Sequence, residues 1–516
     1  MAKRQSTASN RSAAKAKPQS SKKAKPSSAD DVLRIAVSFR RAADQLGLTQ
    51  SATRMTSDIV AEFQPDDETR QKAIAELERL GFEITGQGLA TVSVRATRKV
   101  FEKTFGTTLT ERKVVSENDT PQATSFLAPS DTAPWNPDPA IAELIDDAYI
   151  QWPHLYFARR FAKDLPSPLP PQVNYHHLRV PGDVCALLNV ALVHRQGTTG
   201  RGVRVAMVDS GFAFKTHPYF KEQGYNTTTV LAPGATNVDT DTNGHGTGES
   251  ANLLAIAPDV TFFGIKLDND TNPNAGASIL EGLQEARRHN PQIVSVSLGY
   301  DLCPTDNLGR RTSSVHLTTL PNSLKALEAE IMSMVAAGIV VVFSAGNGHV
   351  AFPGMMSAVI SAGGVYVDAT GEMQASDYAS SFASKIYPGR SVPDFCGLVG
   401  MRPGASYIML PVPPKCDLDS KLSPGDGTTK SDGWATFSGT SAAAPQIAGV
   451  CALLLQKNPS LTPAKIKAVL ASAARDVDTG AANPASNVNV GRKANSGRDG
   501  ATGDGLVDAF AAWKQV

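Results

Sequence analysis

From about residue 186 onward the chain alternates short apolar runs with stretches of helical spacing. Arg204–Val208, Phe262–Ile265, Ile293–Leu298, Ile339–Phe343 and Ala358–Ala362 read as strands, largely apolar rather than alternating. Between and after them Gly248–Ala257, Ser278–His289, Ser323–Ala337 and Ala443–Gln456 read as helices. Strands without a wet face, alternating with helices, predict a mainly parallel sheet covered on both sides. The expectation for 186–516 is therefore a three-layer α/β domain.

Upstream the pattern changes. Val32–Phe39 reads as a strand, and Glu68–Leu80 as a helix with Ala73, Ile74, Leu77 and Leu80 on one face. Phe82–Thr85 and Ala90–Val94 alternate with period two around Gly86-Gln87-Gly88, a hairpin signal. Thr97–Phe105 follows as a helix and Leu109–Val115 as a last strand. The order βαββαβ over 31–117 predicts a ferredoxin-like α+β unit. Residues 118–185 are rich in Pro, Asp and aromatics (Pro134-Trp135, Trp152-Pro153, Pro166 to Pro171) and are expected to form a connector with one helix, Pro139–Tyr149.

Charge refines this division. Residues 1–30 hold eight of the 50 Lys/Arg but one of the 49 Asp/Glu, so the formal charge of +1 hides a basic tail on a mildly acidic body. The tail is expected to be disordered, because a low-hydrophobicity run of like charge cannot offset the cost of ordering its backbone. Near-neutrality argues against a uniformly basic nucleic-acid binder. The most apolar stretch, Ile331–Gly346, is short for a membrane span and is broken by Ser333, Gly338 and Ser344. The first thirty residues lack the apolar core of a signal peptide, which points to a cytoplasmic location, with non-classical secretion as the alternative. Cys185, Cys303, Cys396, Cys416 and Cys451 are odd in number and widely spaced, so neither a disulfide framework nor a CxxC metal site is expected.

Four motifs fall at the ends of predicted elements: Val208-Asp209-Ser210-Gly211, Asn243-Gly244-His245-Gly246-Thr247, Ser344-Ala345-Gly346-Asn347-Gly348, and Phe437-Ser438-Gly439-Thr440-Ser441 leading into Ala442-Ala443-Ala444-Pro445. Each alone has a plain structural reading as a strand end, a helix entry or a cap. Together, in the order Asp, His, Ser, they supply the parts of acyl-transfer catalysis. A serine hydroxyl is a weak nucleophile at neutral pH, so Ser441 needs a base. His245 can take and return its proton, and Asp209 can hold the imidazole tautomer. A helix N-terminus at Ser441 aims backbone N–H groups at a developing oxyanion, and Asn347 offers a side-chain donor to it. Pro445 is expected in the first helical turn, where a missing N–H costs little.

Residues 186–516 resemble the subtilisin-type serine proteases (subtilases) in Gly202–Gly211, Asn243–Thr247, Ser295–Gly299, Ile339–Asn347 and Phe437–Gln456, and at the end in Gly503–Ala509. The resemblance implies a serine endopeptidase with Asp209, His245 and Ser441 as triad and Asn347 in the oxyanion hole. It also implies a protein or peptide substrate that adds a strand along Ser297-Leu298-Gly299. Leu80-Gly81-Phe82 through Phe105-Gly106-Thr107 resembles the propeptides of sedolisin/kumamolisin-type proteases. This implies a zymogen in which the prodomain aids folding and covers the cleft until it is removed, by a cut within 118–185. Sedolisins use a Glu base and work in acid, so His245 implies the subtilisin pattern and activity at neutral or alkaline pH.

Some features depart from the family. Only Gly348–Ala351 separate Asn347 from Phe352-Pro353, so the preference at the residue before the cut cannot be borrowed. No cofactor is implied. The calcium loops of secreted relatives are not evident; Asp499, Asp504 and Asp508 are the candidates for such a site, and Asp/Gly turns explain them equally well. His176-His177 read as solvated loop residues, His217 and His289 as surface or helix-end residues, Cys451 as a core thiol, and Cys303 as a thiol beside the cleft. Two other functions stay open: a catalytically silent or regulated binding or scaffold protein, and a peptide ligase or cyclase using the same acyl-enzyme.

Overall fold

The computed structural model describes residues 32–41, 47–49, 55–115, 123–130, 132–156, 177–304, 313, 315–402, 407–426 and 431–516. The basic tail, His176 and Pro166 to Pro171 lie outside the described residues.

In the N-terminal module, β1 (Val32–Phe39), α1 (Asp67–Arg79), β2 (Glu83–Gln87), β3 (Thr91–Thr97) and α2 (Arg98–Phe105) follow the predicted order. Asp66 and Thr97 cap the two helices through their side chains. The expected last strand behaves differently: β4 (Leu109–Val115) leaves the sheet and forms a hairpin with β5 (Ala123–Pro129). Its place is taken by β6 (Ile145–Ile150), antiparallel to β1. The expected helix Pro139–Tyr149 is cut to Pro139–Ala142, because Ile145, Ala148 and Ile150 are needed to close the module's core. The sheet order β2-β3-β1-β6 is nonetheless the ferredoxin-like one.

Alternation along the strands assigns the two faces of this sheet. Leu33, Ile35, Val37 and Phe39 with Val92, Val94 and Ala96 face α1 and α2. The intervening Arg34, Ser93 and Arg95 reach across to the second domain. Beyond the module, β7 (Leu155–Tyr156) crosses to that domain as well.

The second domain is built on β8 (Arg204–Asp209), β9 (Thr227–Leu231), α3 (His245–Ile256), β10 (Thr261–Lys266), α4 (Ile279–Arg287), β11 (Ile293–Val296), β12 (Leu298–Asp301), α5 (Asn322–Ala336), β13 (Val340–Ser344), β14 (Ala351–Phe352), β15 (Ile360–Val367), β16 (Met373–Ala375), β17 (Phe395–Leu398), β18 (Ile408–Pro411), α6 (Asp417–Asp426), β19 (Trp434–Phe437) and α7 (Thr440–Lys457). The sheet runs β9-β10-β8-β11-β13-β15-β16, with β17 also on β15; only β16 is antiparallel. Val205 and Met207 of β8 pack toward α3 and α7, while Ala206 and Val208 pack toward α4 and α5. One strand feeding two cores is why these runs are apolar throughout. The fold is thus a three-layer α/β domain. Among the described residues no helix is long and apolar enough to cross a membrane.

The module sits on α4 and the residues before it. Thr85 Oγ1 donates to Glu281 (2.8 Å), Ser93 Oγ to Gln284 (2.7 Å), and Arg95 Nε to Glu281 (3.3 Å). The Arg95 guanidinium also donates to the carbonyls of Pro233, Ala275 and Gly276. The contact is apolar as well, since Ala36, Leu48, Met55, Val60, Phe63 and Ala90 are buried in one cluster with residues of α4 and α5.

Candidate active site

The polar residues at the carboxyl ends of the parallel strands are brought together by one buried carboxylate. Asp241 Oδ1 accepts from Gly244 N (2.8 Å) and Ser210 Oγ (2.9 Å), and its Oδ2 from Thr247 N (2.9 Å) and Oγ1 (2.8 Å). Asp241 thereby ties the end of β8 to the first turn of α3, and burial pushes its own carboxyl pKa up. Gly244 enters the helix at φ +95, which L side chains rarely adopt. A Cβ at Gly246 would lie 2.4 Å from the Gly211 carbonyl and 2.9 Å from Asp209 Cβ. Glycine there lets α3 approach β8 closely enough for His245 to meet Asp209.

They meet with His245 Nδ1 donating to Asp209 Oδ1 at 2.7 Å, both residues having no exposed surface. Asp209 Oδ1 also accepts from Ser210 N (2.7 Å). Burial works against an imidazolium, but the Asp209 charge and hydrogen bond, with Glu249 and Asp241, hold His245 up at about 9. Glu249, a turn further along α3, is itself pushed up to about 8 by burial.

Ser441 is the second residue of α7, where a backbone N–H has no acceptor within the helix. Its Oγ donates to the Ser297 carbonyl (3.3 Å), and Ser297 Oγ donates back to the Ser441 carbonyl (2.9 Å). The second bond explains Pro445. That proline lies six residues into α7, not in the first turn as expected. It removes the N–H that would have bonded the Ser441 carbonyl, and Ser297 supplies a hydroxyl instead. Asn347 is oriented by α7 too: its Oδ1 accepts from Thr440 N (2.8 Å) and Thr440 Oγ1 (3.0 Å), which makes Nδ2 the donor end of the amide.

Ser297 links β11 to β12, and along β12 lies a strand of the same chain. Leu155 and Tyr156 pair antiparallel with Gly299 and Leu298. The candidates thus fall into two bonded groups, Asp209 with His245 at the end of β8, and Ser441 with Ser297 and, through Thr440, Asn347 at the start of α7, a helix that packs on α3.

Other candidates lie elsewhere. His217 is buried rather than on the surface: it caps a short helix and contacts the Gly433 carbonyl (2.8 Å). His289 lies just past α4, near Glu285, and His177 is exposed. All five cysteines are buried thiols, Cys303 and Cys451 included. Asp504 pairs with Arg498, Asp508 caps the last helix, and Asp499 Oδ1 accepts from Ala501 N and Thr502 N. Among the described residues no three His, Cys, Asp or Glu side chains are disposed to hold a metal. Asp241 and Glu249 were not singled out from sequence. Glu249 could have been, since four residues along a helix from His245 is the same face.

Sequence comparison gives the family. The subtilase (Peptidase_S8) family profile matches residues 200–500, and the chain belongs to that family of serine-type endopeptidases. It is 28% identical to alkaline elastase YaB of Bacillus sp. (strain YaB) over 288 residues, 54% of this chain and 60% of that protein. Identity to subtilisin E of Bacillus subtilis (strain 168) is 25% over 383 residues, 70% of this chain and 80% of that one. Serine protease AprX of the same organism is 29% identical over 301 residues, 53% of this chain and 62% of that protein. Among solved structures, fervidolysin from Fervidobacterium pennivorans, a keratinolytic enzyme related to subtilisin, aligns with a TM-score of 0.54 at 16% identity. That alignment covers 94% of this chain and 61% of fervidolysin, and supports the fold.

Proposed function

We propose that the chain is a serine endopeptidase made as a zymogen, with Asp209, His245 and Ser441 as its triad. The observation that carries the catalytic reading is the buried His245–Asp209 hydrogen bond at 2.7 Å, with the His245 ring 6.2 Å from that of Phe437, which ends the strand before α7. It holds the imidazole with Nδ1–H committed, so Nε2 is the nitrogen that exchanges protons. As Ser441 Oγ attacks a peptide carbonyl, its proton passes to Nε2, the hydroxyl having turned from the Ser297 carbonyl onto the imidazole. Such bonds commonly tighten only with substrate in place. Asn347 Nδ2 and the Ser441 N–H, at the positive end of α7, meet the oxyanion. Collapse of the adduct breaks the C–N bond, with His245 returning the proton to the leaving amine. Water then repeats the sequence on the acyl-enzyme and frees the acid.

The zymogen reading rests on β7. An extended segment added to β12 takes the position of a bound peptide by strand addition. The module before it is then a prodomain that stays on α4 as an intramolecular inhibitor. Antiparallel pairing of Leu155 with Gly299 and Tyr156 with Leu298 points the chain along β12 toward Ser297, and so toward Ser441. Cleavage is accordingly expected within the first residues after Tyr156. The test is intact mass and N-terminal sequencing of the purified full chain over time, beside Ser441→Ala. A new N-terminus just beyond Tyr156 in the wild type, with Ser441→Ala staying at 54.4 kDa, is the expected result. A stable full-length wild type, or a cut that persists in Ser441→Ala, contradicts the self-processing zymogen.

A further inference from the structure

The imidazole has a carboxyl group at each edge. Glu249 stands one helical turn beyond His245 on α3, so both side chains lie on one face. Its Oε1 is 4.0 Å from His245 Nε2, while Asp209 holds Nδ1 on the other side. The Glu249 side chain is almost wholly enclosed. Asn252 Nδ2 donates to its Oε2 at 2.9 Å and fixes the group, whereas Oε1 has no hydrogen-bond partner. Burying a carboxyl with one oxygen unmatched is costly, and a position serving only to pack α3 would carry an apolar side chain. The unmatched oxygen is the one nearest the nitrogen that must accept the serine proton.

We propose that Glu249 is a second carboxylate partner of His245, a positioning residue that sets the pH above which the imidazole acts as base and steadies the imidazolium once Nε2 is protonated. This rests on the triad reading above. An ionised Glu249 favours the imidazolium, so it raises the pH needed to free the base, and during acyl transfer it opposes loss of the new Nε2 proton. The other charges acting on the pair are Asp209 at the end of β8 and Asp241 ahead of α3. Of the remaining elements packed there, α7 carries Ser441 and Cys451. The helix at residues 182–187 and the segment before α6 carry Cys185 and Cys416. Burial raises all three thiols to about 12, so they stay neutral. The titration of His245 is therefore governed by three carboxyl groups, of which Glu249 alone faces the Nε2 edge.

The experiment compares the full chain with Glu249→Gln and Glu249→Asp, measuring kcat/KM for a peptide substrate from acid to alkaline pH. Ring nitrogen chemical shifts of His245 are titrated in parallel, each change placed on a Ser441→Ala background. Expected in Glu249→Gln are an acid limb displaced to lower pH by about one unit or more and a several-fold lower plateau. The His245 titration should move the same way. Glu249→Asp keeps the charge and should restore most of the limb. An unchanged limb and an unchanged His245 titration in Glu249→Gln overturn the proposal. Should Glu249→Gln fail to fold, Asn252→Ala, which loosens the carboxyl and favours its neutral form, must move the limb in the same direction by less; no movement counts against the proposal. If the wild type is inactive at every pH the protease reading fails instead, while the nitrogen titration still reports whether Glu249 acts on His245.

Discussion

At the scale of single residues, the chemistry depends on how firmly His245 is held as a cation. A group whose pKa is raised to about 9 keeps its proton through neutrality, so the neutral imidazole that must accept the Ser441 proton accumulates only at alkaline pH. Activity is therefore expected to rise with pH through about 9, and acid to inactivate by protonating the base. A kcat/KM profile checks this: a limb near the ordinary histidine pKa would mean that the Asp209 and Glu249 charges are screened in solution. The placing of Asp209, His245, Asn347 and Ser441 at the ends of elements was legible in the sequence because each lies in a short motif. Glu249 and Asp241 were not, because an acidic residue inside a helix or a loop looks solvated until the fold buries it.

At the scale of elements, α7 shows how one residue's deficit becomes another's function. Pro445 leaves the Ser441 carbonyl without its helical donor, and Ser297 supplies one from the junction of β11 and β12. The start of α7 and the junction of β11 and β12 are thus bonded to each other. Ser297→Ala leaves that carbonyl buried and unmatched, which is expected to cost about 1–3 kcal/mol in denaturant unfolding. In a Pro445→Ala background the helix can supply its own N–H, so the same change should cost less, a coupling that a double-mutant cycle reads directly. Additive costs would mean that the proline is not the reason for the Ser297 bond. The helices expected in the second domain lie within three residues of expectation at each end, but Pro445 moved inward. Small residues after Ser441 gave no periodic signal for where α7 begins, and its start is fixed by Thr440 bonding Asn347.

At the scale of the whole molecule, the parallel sheet of the second domain was readable, whereas the strand that closes the first module's sheet was not. Residues 145–150 carry the pattern of a helix and connector, yet they close the first sheet, because the strand pairs with a partner more than a hundred residues away. No local pattern reports such pairing. The same is true of the interface: no motif marks Arg95, which is buried against Glu281 and three carbonyls. Removing it strands Glu281 without its cation, a loss of about 2–5 kcal/mol at an interface of this kind. On the zymogen reading proposed above, the module of Arg95→Ala should leave sooner once cut, shortening the lag before full activity per active site; an unchanged lag would show that the module is held elsewhere.

The central claim is that Ser441 is a nucleophile activated by His245 and Asp209. It is tested most directly by a serine-directed fluorophosphonate, with the adduct mapped by peptide mass. The account predicts a covalent adduct on Ser441 in the wild type after the module has been cut away, and none in Ser441→Ala or His245→Ala. A wild type freed of its module that still takes no label at Ser441, or a His245→Ala chain that labels as fast, would contradict it.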